Sequence, residues 1–411
     1  MNVLRQLTVV MAVLMLLSGV AAADTDVTVT GQVRVRNEVS DRTFDSTYTT
    51  LESTILRTRV RVEALIDSNT HAVVQFQDSR TLGGRNQFGD AQSATLNDSK
   101  NVDIHQAFVQ IDRLWVDGLG GKFGRFELNL GNQRVFGAVG WSNVGRAWEG
   151  GMLWYRQPDW AVTGLTLKRL ELNDMNDNRD FDVLGTTVDI TRAHAQFFGF
   201  WEHNADMTIT STDNDLDRFS FGGYFKHTIP NSSVDVEANA VYQTGDKAGV
   251  DIAAFLLTGE LGYTFPGKGQ ARIAAGIDYA SGDDTTTDNE INAYNNLYYT
   301  GHKFRGYMDY FVASNPSGLI DLMLRGKINP APKWTLKGDL HYFKTAEDYV
   351  DFTNTLTSDV GVEVDLTVAT TSVRGVKLQG GVSAFFPNES FAGFVNPDPG
   401  IWSYTMVTAD F

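Results

Sequence analysis

The chain has 411 residues, no cysteine, and 50 acidic against 34 basic side chains, which gives a net charge of −16. This acidic balance argues against a nucleic-acid partner, and the absence of cysteine excludes disulfides, thiolate metal sites and c-type haem attachment. The 14 tyrosines, 25 phenylalanines and 8 tryptophans accompany a slightly negative mean hydropathy. That combination is unusual for a helical membrane protein but typical of a β-barrel with aromatic girdles and a wet interior.

The first 23 residues have the pattern of a cleavable secretory signal. Arg5 supplies a short positive region, residues 7–17 are apolar, and Ala21-Ala22-Ala23 offers a cleavage site. The apolar run is short for a membrane span. The sequence therefore predicts a signal peptide at 1–23 and a mature start at Asp24, with a single membrane anchor as the alternative.

Apolar and polar residues alternate along the rest of the chain, as in strands that cross an outer membrane. The pattern predicts about 18 strands in one domain, 24–411, with no linker or domain break. The predicted strands lie near 26–39, 52–67, 70–81, 102–114, 121–131, 150–157, 160–172, 181–191, 194–204, 216–229, 234–244, 251–265, 269–281, 317–329, 333–345, 360–372, 376–387 and 401–411.

The links between these strands alternate in length. Short links are predicted at 67–69, 157–159, 230–232, 266–268 and 330–332, and longer polar stretches at 41–50, 82–101, 132–149, 173–180, 204–215, 245–250, 282–316, 346–359 and 388–400. Short periplasmic turns and long outer loops are typical of transmembrane barrels. The predicted fold is an all-β, antiparallel transmembrane barrel in the outer membrane of a Gram-negative bacterium. A soluble exported β-protein is the alternative.

The last predicted strand, 401–411, ends on the aromatic residue Phe411. Outer-membrane barrels usually end in this way, and we expect Phe411 to be read by the barrel assembly machinery. The other predicted partners are membrane lipids and lipopolysaccharide.

Clean alternation assigns the two faces of three strands. In 251–265 the residues Ala253, Phe255, Leu257, Leu261, Tyr263 and Phe265 are predicted to face lipid, and Thr258, Glu260 and Thr264 the lumen. In 360–368 the predicted lipid face is Val360, Val362, Val364, Leu366 and Val368, and the inward face Glu363, Asp365 and Thr367. In 56–66 the outward residues are Leu56, Val60, Val62, Ala64 and Ile66, opposite Arg57, Arg59, Arg61 and Glu63.

Charged residues predicted to face the lumen are candidates for setting selectivity. The predicted inward cations are Arg34, Arg36, Arg57, Arg59, Arg61, Arg125, Arg156, Lys226, Arg272, Arg325, Lys327, Lys337 and Lys377. The predicted inward acids are Glu38, Glu63, Glu127, Asp235, Glu237, Glu260, Asp278, Asp321, Asp339, Glu363 and Asp365. The first seven cations are concentrated on four strands that hold only three of the acids. This wall is predicted to attract anions, because guanidinium groups suit carboxylates. Alternatively, the arginines pair with Glu38, Glu63 and Glu127 and stiffen the wall.

The loop 132–149 is richer in apolar and aromatic residues than a solvated outer loop requires, and its four glycines allow sharp bends. We expect it to fold into the lumen, with Arg134 and Arg146 lining a constriction. A packed outer cap is the alternative.

Two acidic stretches suggest calcium only weakly. Asp174, Asn176, Asn178 and Asp180 alternate as oxygen ligands would, but the stretch lacks the glycine and closing glutamate of an EF-hand loop. Asp283, Asp284, Asp288 and Glu290 are a similar case. Solvated loops are the favoured interpretation of both, so no metal is predicted. No cofactor is implied, and no local motif of a metalloprotease or serine hydrolase is present.

Several ordered segments resemble the alginate-export-type porins, which are 18-stranded outer-membrane barrels. They are HQAFVQI at 105–111, FGRFELNLGNQRVFG at 123–137, WSNVGRAWEGG at 141–151, GHKFRGYMDYF at 301–311, GLIDLMLRG at 318–326, HYF at 341–343, EVDLT at 363–367 and GVSAFFP at 381–387. The resemblance implies a monomeric barrel with an arginine-rich lumen and an inward-folded loop, and it places Arg125, Arg134 and Arg146 as lumen or constriction cations. Trp148-Glu149 departs from the more usual Phe-Asp.

The hypothesis drawn from residues and resemblance is a passive outer-membrane channel for anionic saccharides, such as alginate-like polyuronates, or for other small anions. A poorly selective general porin is one alternative. A closed barrel that serves as an adhesin or structural protein, and an outer-membrane enzyme with a site at the rim, are the others.

Overall fold

A computed structural model describes residues 26–47, 50–82, 102–170, 180–204, 215–285 and 288–411. The predicted signal peptide lies outside the described residues. Among those described, no helix is long and apolar enough to cross a membrane.

Eighteen strands in the described residues form one closed antiparallel sheet. In chain order, β1 to β18 are Asp26–Asp41, Leu51–Asp67, Thr70–Thr81, Asp103–Ile111, Leu119–Phe126, Trp148–Arg156, Trp160–Leu170, Phe181–Ile190, Ala195–Asn204, Leu216–Thr228, Val234–Lys247, Val250–Thr264, Arg272–Ala280, Leu319–Ile328, Trp334–Val350, Leu356–Thr370, Val376–Pro387 and Gly400–Asp410. Each strand pairs with its neighbours in sequence. The predicted all-β barrel of 18 strands is confirmed.

Pairing of β1 with β18 closes the barrel. The register runs from Gln32 opposite Asp410 to Asp41 opposite Ile401. Beyond it, Gly31 and Phe411 exchange both backbone hydrogen bonds, at 2.7 and 3.0 Å. Closure pairs both edges of the eighteen described strands, as a lipid environment requires.

The outer surface follows the alternation of the sequence. On β12 the side chains of Phe255, Leu257, Leu261 and Tyr263 are exposed, whereas Leu256 is buried. One group of exposed aromatic residues lies at the end of the barrel that carries the short turns. They are Trp115, Tyr155, Trp160, Tyr263, Phe265, Trp334 and Phe411. They form the girdle expected at a membrane interface.

Two links are shorter than the polarity of their residues predicts. Strands β11 and β12 are joined by Ala248 and Gly249 alone, and β15 and β16 by residues 351–355, so the predicted loops 245–250 and 346–359 are wrong in extent. Ala248 and Gly249 both have positive φ, as a tight two-residue hairpin turn requires. Strands that extend beyond the membrane into water need no apolar face, so polar residues there remain paired in the sheet and are easily mistaken for a loop.

Two long loops fold into the barrel and meet there. Residues 127–147 follow β5, and residues 281–318 follow β13. Gly137 donates a backbone hydrogen bond to Tyr298 (2.9 Å), Tyr298 to Val135 (3.0 Å) and Thr300 to Gln133 (3.1 Å). The second loop contains a two-residue strand, Glu290–Ile291, and a 3-10 turn, Gly301–Lys303. Outside it are a second 3-10 turn, Thr191–Ala193, and a short α-helix, Glu389–Ala392.

Aromatic side chains pack these loops against the inner wall. One cluster surrounds Phe136, whose ring lies 4.8 Å from that of Phe200 and 5.0 Å from that of Tyr298. The other joins Phe311 to Phe343 at 4.3 Å and Tyr310 to Phe385 at 4.8 Å. The lumen therefore has a hydrophobic core of its own.

Val360 belongs to that inner core and not to the lipid face. It is 1% exposed and packs in the inner cluster. The predicted lipid-facing position of Val360 is wrong because a β-bulge shifts the register: Phe343 pairs with Gly361, and Lys344 with Asp359. Beyond the bulge the prediction holds, with Leu366 and Val368 exposed and Glu363 and Asp365 buried.

Candidate functional site

Arginines of β1 and β2 form hydrogen bonds to the loop 127–147 and fix its position in the lumen. Arg34 donates to the carbonyl oxygens of Gly140 (2.8 Å) and Ser142 (3.0 Å). Arg57 donates to the same two oxygens at 3.1 Å. Both side chains are buried. They face inward as predicted, and their terminal nitrogens donate to the loop backbone.

Arg36 and Arg59 continue this anchoring row. Arg36 donates to the Trp141 carbonyl (2.7 Å), pairs with Glu38 (2.5 Å) and lies 4.0 Å from the centre of the Trp141 ring. Arg59 pairs with Glu127 (3.0 Å) and bonds Gln77 (2.7 Å). The alternative in which the arginines pair with Glu38, Glu63 and Glu127 therefore describes these two residues, and it also describes the pair of Arg61 with Glu63.

Two further arginines lie on the inward face nearer the short turns. Arg61 pairs with Glu63 at 3.0 Å, and both side chains are about one-third exposed. Arg156 stacks over the ring of Trp154 at 4.2 Å. Neither contacts the loop, and neither lines the two cavities described below.

Arg125 lies on the outer face of the barrel. The next residue, Phe126, is buried inside, whereas Phe123, two positions before Arg125, is exposed to the outside. Arg125 pairs with Glu149 (2.6 Å), its register partner on β6. The predicted lumen position of Arg125 is wrong because the inward face here packs apolar residues against the loop.

The two loop arginines differ in their surroundings. Arg134 is buried, forms a bidentate ion pair with the buried Asp278 and stacks over Phe304 at 3.9 Å. Arg146 donates to the carbonyl oxygens of Gly137 (3.3 Å) and Tyr298. Burial lowers the pKa of the Arg146 guanidinium, which nevertheless stays charged near neutral pH. Of the two, only Arg146 lines one of the two chambers described below.

An outer chamber of about 940 Å³ lies on the side of the long loops. Six basic side chains and three carboxylates of the described residues line it: Arg36, Arg42, Arg146, Lys168, Arg169 and Arg218, with Glu38, Glu202 and Asp309. Arg218 pairs with Glu202 at 2.8 Å, and Arg36 with Glu38. Pairing therefore neutralises part of this lining.

An inner chamber of about 650 Å³ lies toward the short turns. Its described lining holds six basic side chains, Arg272, Lys303, Arg325, Lys327, Lys337 and Lys377, and two carboxylates, Glu260 and Asp339. Arg272 and Arg325 share Glu260 at 2.7 and 3.1 Å.

The three strand lysines of the inner chamber differ from the anchoring arginines. Lys327, Lys337 and Lys377 are exposed within the lumen. Lys327 and Lys337 are register partners on adjacent strands. None of the three forms an ion pair with any residue in the described ranges. Lys303 donates to the Asn132 carbonyl (2.9 Å), and burial lowers its pKa, an effect that Glu237 opposes.

Trp141 and His302 lie between the two chambers. They belong to different loops, and their rings stack at 4.2 Å with 9° between their planes. Both residues line the outer chamber and the inner chamber.

The weak metal candidates are mostly outside the described residues. Asp174, Asn176 and Asn178 lie there, whereas Asp180 pairs with Lys168 at 3.2 Å. Within the described ranges, no group of three or more histidine or acidic side chains is arranged to hold a metal ion.

Several lumen residues were not singled out from the sequence. Arg42, Arg218 and Lys303 line the chambers without having been predicted as inward cations, and His302 was not predicted as a lumen residue. The segment 301–311 is rich in aromatic and basic residues, as the loop 132–149 is. This similarity could have predicted a second inward-folded loop. The three strand lysines were predicted as inward cations, but the anion-attracting wall was predicted on the strands that carry the arginines.

Comparison with known proteins decides the family. Residues 26–392 match the alginate export family. The chain belongs to this family. No curated protein shows a significant match.

Solved outer-membrane porins share the fold of this alginate export family member. A BenF-like porin from Pseudomonas fluorescens Pf-5 is 10% identical with a TM-score of 0.64, over 94% of this chain and 98% of that one. Pseudomonas aeruginosa OccK2 (OpdF), solved in complex with glucuronate, is 11% identical with a TM-score of 0.63 over the same shares. Pseudomonas aeruginosa OpdK, solved with vanillate, is 10% identical with a TM-score of 0.62, over 93% and 98%.

Family and fold together define the general activity. The chain is an outer-membrane channel of a Gram-negative bacterium and not an enzyme. The two inward loops and the two basic chambers are the parts of this channel that a solute meets.

Proposed function

We propose that the channel passes anionic saccharides of the uronate class, or other small anions, by passive diffusion. The observation that carries this proposal is the inner chamber, where exposed Lys327, Lys337 and Lys377 have no ion-pair partner among the described residues. Unpaired ammonium groups attract anions and leave them free to move on.

The anchoring arginines support the proposal only indirectly. Their terminal nitrogens bind loop carbonyls or carboxylates, so they position the loop and add positive potential. The glucuronate of OccK2 and the vanillate of OpdK belong to those proteins. Both compounds carry a carboxylate on a six-membered ring, which is the chemistry that a basic chamber beside aromatic rings accommodates.

The test is planar-bilayer recording of the refolded protein under a salt gradient. We expect a reversal potential biased toward anions, and block of the current by glucuronate and oligouronates. The variant Lys327→Gln/Lys337→Gln/Lys377→Gln loses most of the anion bias and the block.

A matched control removes charge near the same mouth but outside the chamber. Lys268→Gln/Lys333→Gln changes two exposed lysines of the short turns and leaves the reversal potential near that of the wild type. An open channel with no ion preference contradicts the proposal and favours a general porin, and an absence of current favours a closed barrel. The monomeric state and the reading of Phe411 by the assembly machinery stay predictions.

A further inference from the structure

The backbone around Trp141 is fixed to the barrel wall. Arg34 and Arg57 donate to the carbonyls on either side of Trp141, and Arg36 donates to the Trp141 carbonyl at 2.7 Å. The guanidinium of Arg36 also covers the indole ring at 4.0 Å. Tyr404 of β18 meets that ring edge-on at 4.9 Å. Trp141 is therefore a rigid projection from the wall into the lumen.

His302 approaches Trp141 from the other loop. It lies in the 3-10 turn Gly301–Lys303, and its Nδ1 is 2.9 Å from Asp309 Oδ1. Its second face lies against Tyr307, at 5.1 Å and 24°. The imidazole is thus held between Trp141 and Tyr307, with Asp309 fixing its rotation.

Of the described residues, Trp141 and His302 are the two that line both chambers. Their ring centres are 4.2 Å apart, which is stacking contact and leaves no room for a solute between them. We propose that the Trp141–His302 pair is the constriction that sets the size limit for solutes passing from one chamber to the other. The proposal rests on the channel activity and is independent of the preference for anions.

The test measures size and charge selectivity separately. Single-channel conductance is recorded with polyethylene glycols of graded size, and ion preference by reversal potential. Trp141→Ala and His302→Ala are each expected to raise the conductance and to move the exclusion cut-off to larger polymers, while the reversal potential stays near wild type. His302→Phe keeps a ring against Trp141 and is expected to keep the wild-type cut-off.

A matched control uses another histidine in a similar setting. His203 bonds Asp217 at 2.9 Å and stacks on Trp201 at 5.2 Å, but it lines neither chamber. His203→Ala should leave conductance and cut-off unchanged.

A covalent lock separates loss of the side chain from displacement of the loops. A Cβ on Gly137 would lie 3.1 Å from Thr300 Cβ, so a disulfide, with its Cβ separation of about 3.5–4.5 Å, forms when the two loops move apart by roughly 0.5–1 Å at this point. The chain has no other cysteine, so Gly137→Cys/Thr300→Cys joins the two loops specifically. In the oxidised lock, His302→Ala should still raise conductance. A cut-off unchanged in both alanine variants, or a gain that disappears in the lock, would overturn the proposal.

Discussion

The basic residues of the barrel form two walls that do different work. On β1 and β2, Arg34, Arg36 and Arg57 are 3–5% exposed, and their guanidinium groups bind backbone carbonyls of one loop. On β14, β15 and β17, Lys327, Lys337 and Lys377 are exposed and bind no carboxylate of the described residues.

The difference shows that inward position and solute contact are separate properties. A guanidinium offers five fixed donors, so it can tie several carbonyls together while it is buried. An ammonium on a flexible stem is strongly hydrated and suits a wet chamber. Of these two walls, the arginine wall shapes the lumen and the lysine wall carries accessible charge.

The largest expected effect is on stability and comes from Arg134, the loop arginine that pairs with buried Asp278. Arg134→Met leaves that carboxylate buried without its partner, which costs about 3–5 kcal/mol in the free energy of unfolding. Urea titration of the protein in lipid vesicles measures the loss. The double variant Arg134→Met/Asp278→Leu should recover most of it. If the single variant is as stable as the wild type, Arg134 is not a structural residue.

A smaller effect is expected from the anchoring pair. Arg34→Ala/Arg57→Ala removes the donors to Gly140 and Ser142. Hydrogen bonds to charged groups contribute about 1.5–3 kcal/mol each, and water replaces part of them here, so we expect a loss of about 3 kcal/mol. Released from the wall, the loop should also make the open-channel current noisier.

Arg61 provides the matched comparison for that double variant. Its pair with Glu63 is about one-third exposed, so Arg61→Ala should cost less than about 1 kcal/mol and leave the current noise unchanged. Equal losses for Arg61→Ala and the double variant would mean that the loop anchor has no special role.

The smallest expected effect on stability comes from the lysine wall, where the change is in selectivity. Lys337→Glu should alter the free energy of unfolding by less than about 0.5 kcal/mol, because the side chain is exposed and unpaired. At about 7 Å in water, one unit charge contributes roughly 0.6 kcal/mol to the energy of a passing ion. The reversal potential should therefore shift toward cations, further than in Lys337→Gln, and the shift should shrink as salt rises. A large loss of stability would make this wall structural too.

The fold was predictable because apolar and polar residues alternate along the eighteen strands, and because short and long links alternate between them. An ambiguous pattern in any one strand therefore did not change the predicted fold. The errors at Arg125 and Val360 both lie where a loop packs against the inner wall, and at Val360 a β-bulge also shifts the register. The alternation rule assigns apolar residues to lipid, but the inward loops give this barrel a second apolar core. Phe126 and Val360 point into that core, so the rule reverses wherever a loop packs against the wall.

The candidate site was predictable only in part. Period-two spacing placed Arg34, Arg57 and Lys337 on the inward face, but spacing along one strand carries no information about a partner that lies 83 to 108 residues away. The contact of Trp141 with His302 joins two residues that lie more than 150 positions apart in the chain. Such long-range contacts form only when the barrel closes, so a local sequence pattern cannot predict them.

The way the wall grips the loop has a consequence for how this protein can change. Arg34, Arg36 and Arg57 hold main-chain carbonyls at 140–142, and every residue type has a carbonyl. The side chain at 141 is therefore exchangeable while the loop keeps its course. Substitution of this one residue, in evolution or in a laboratory library, is expected to change the size of solute that the pore admits. The arginine contacts to the backbone hold the loop in place meanwhile.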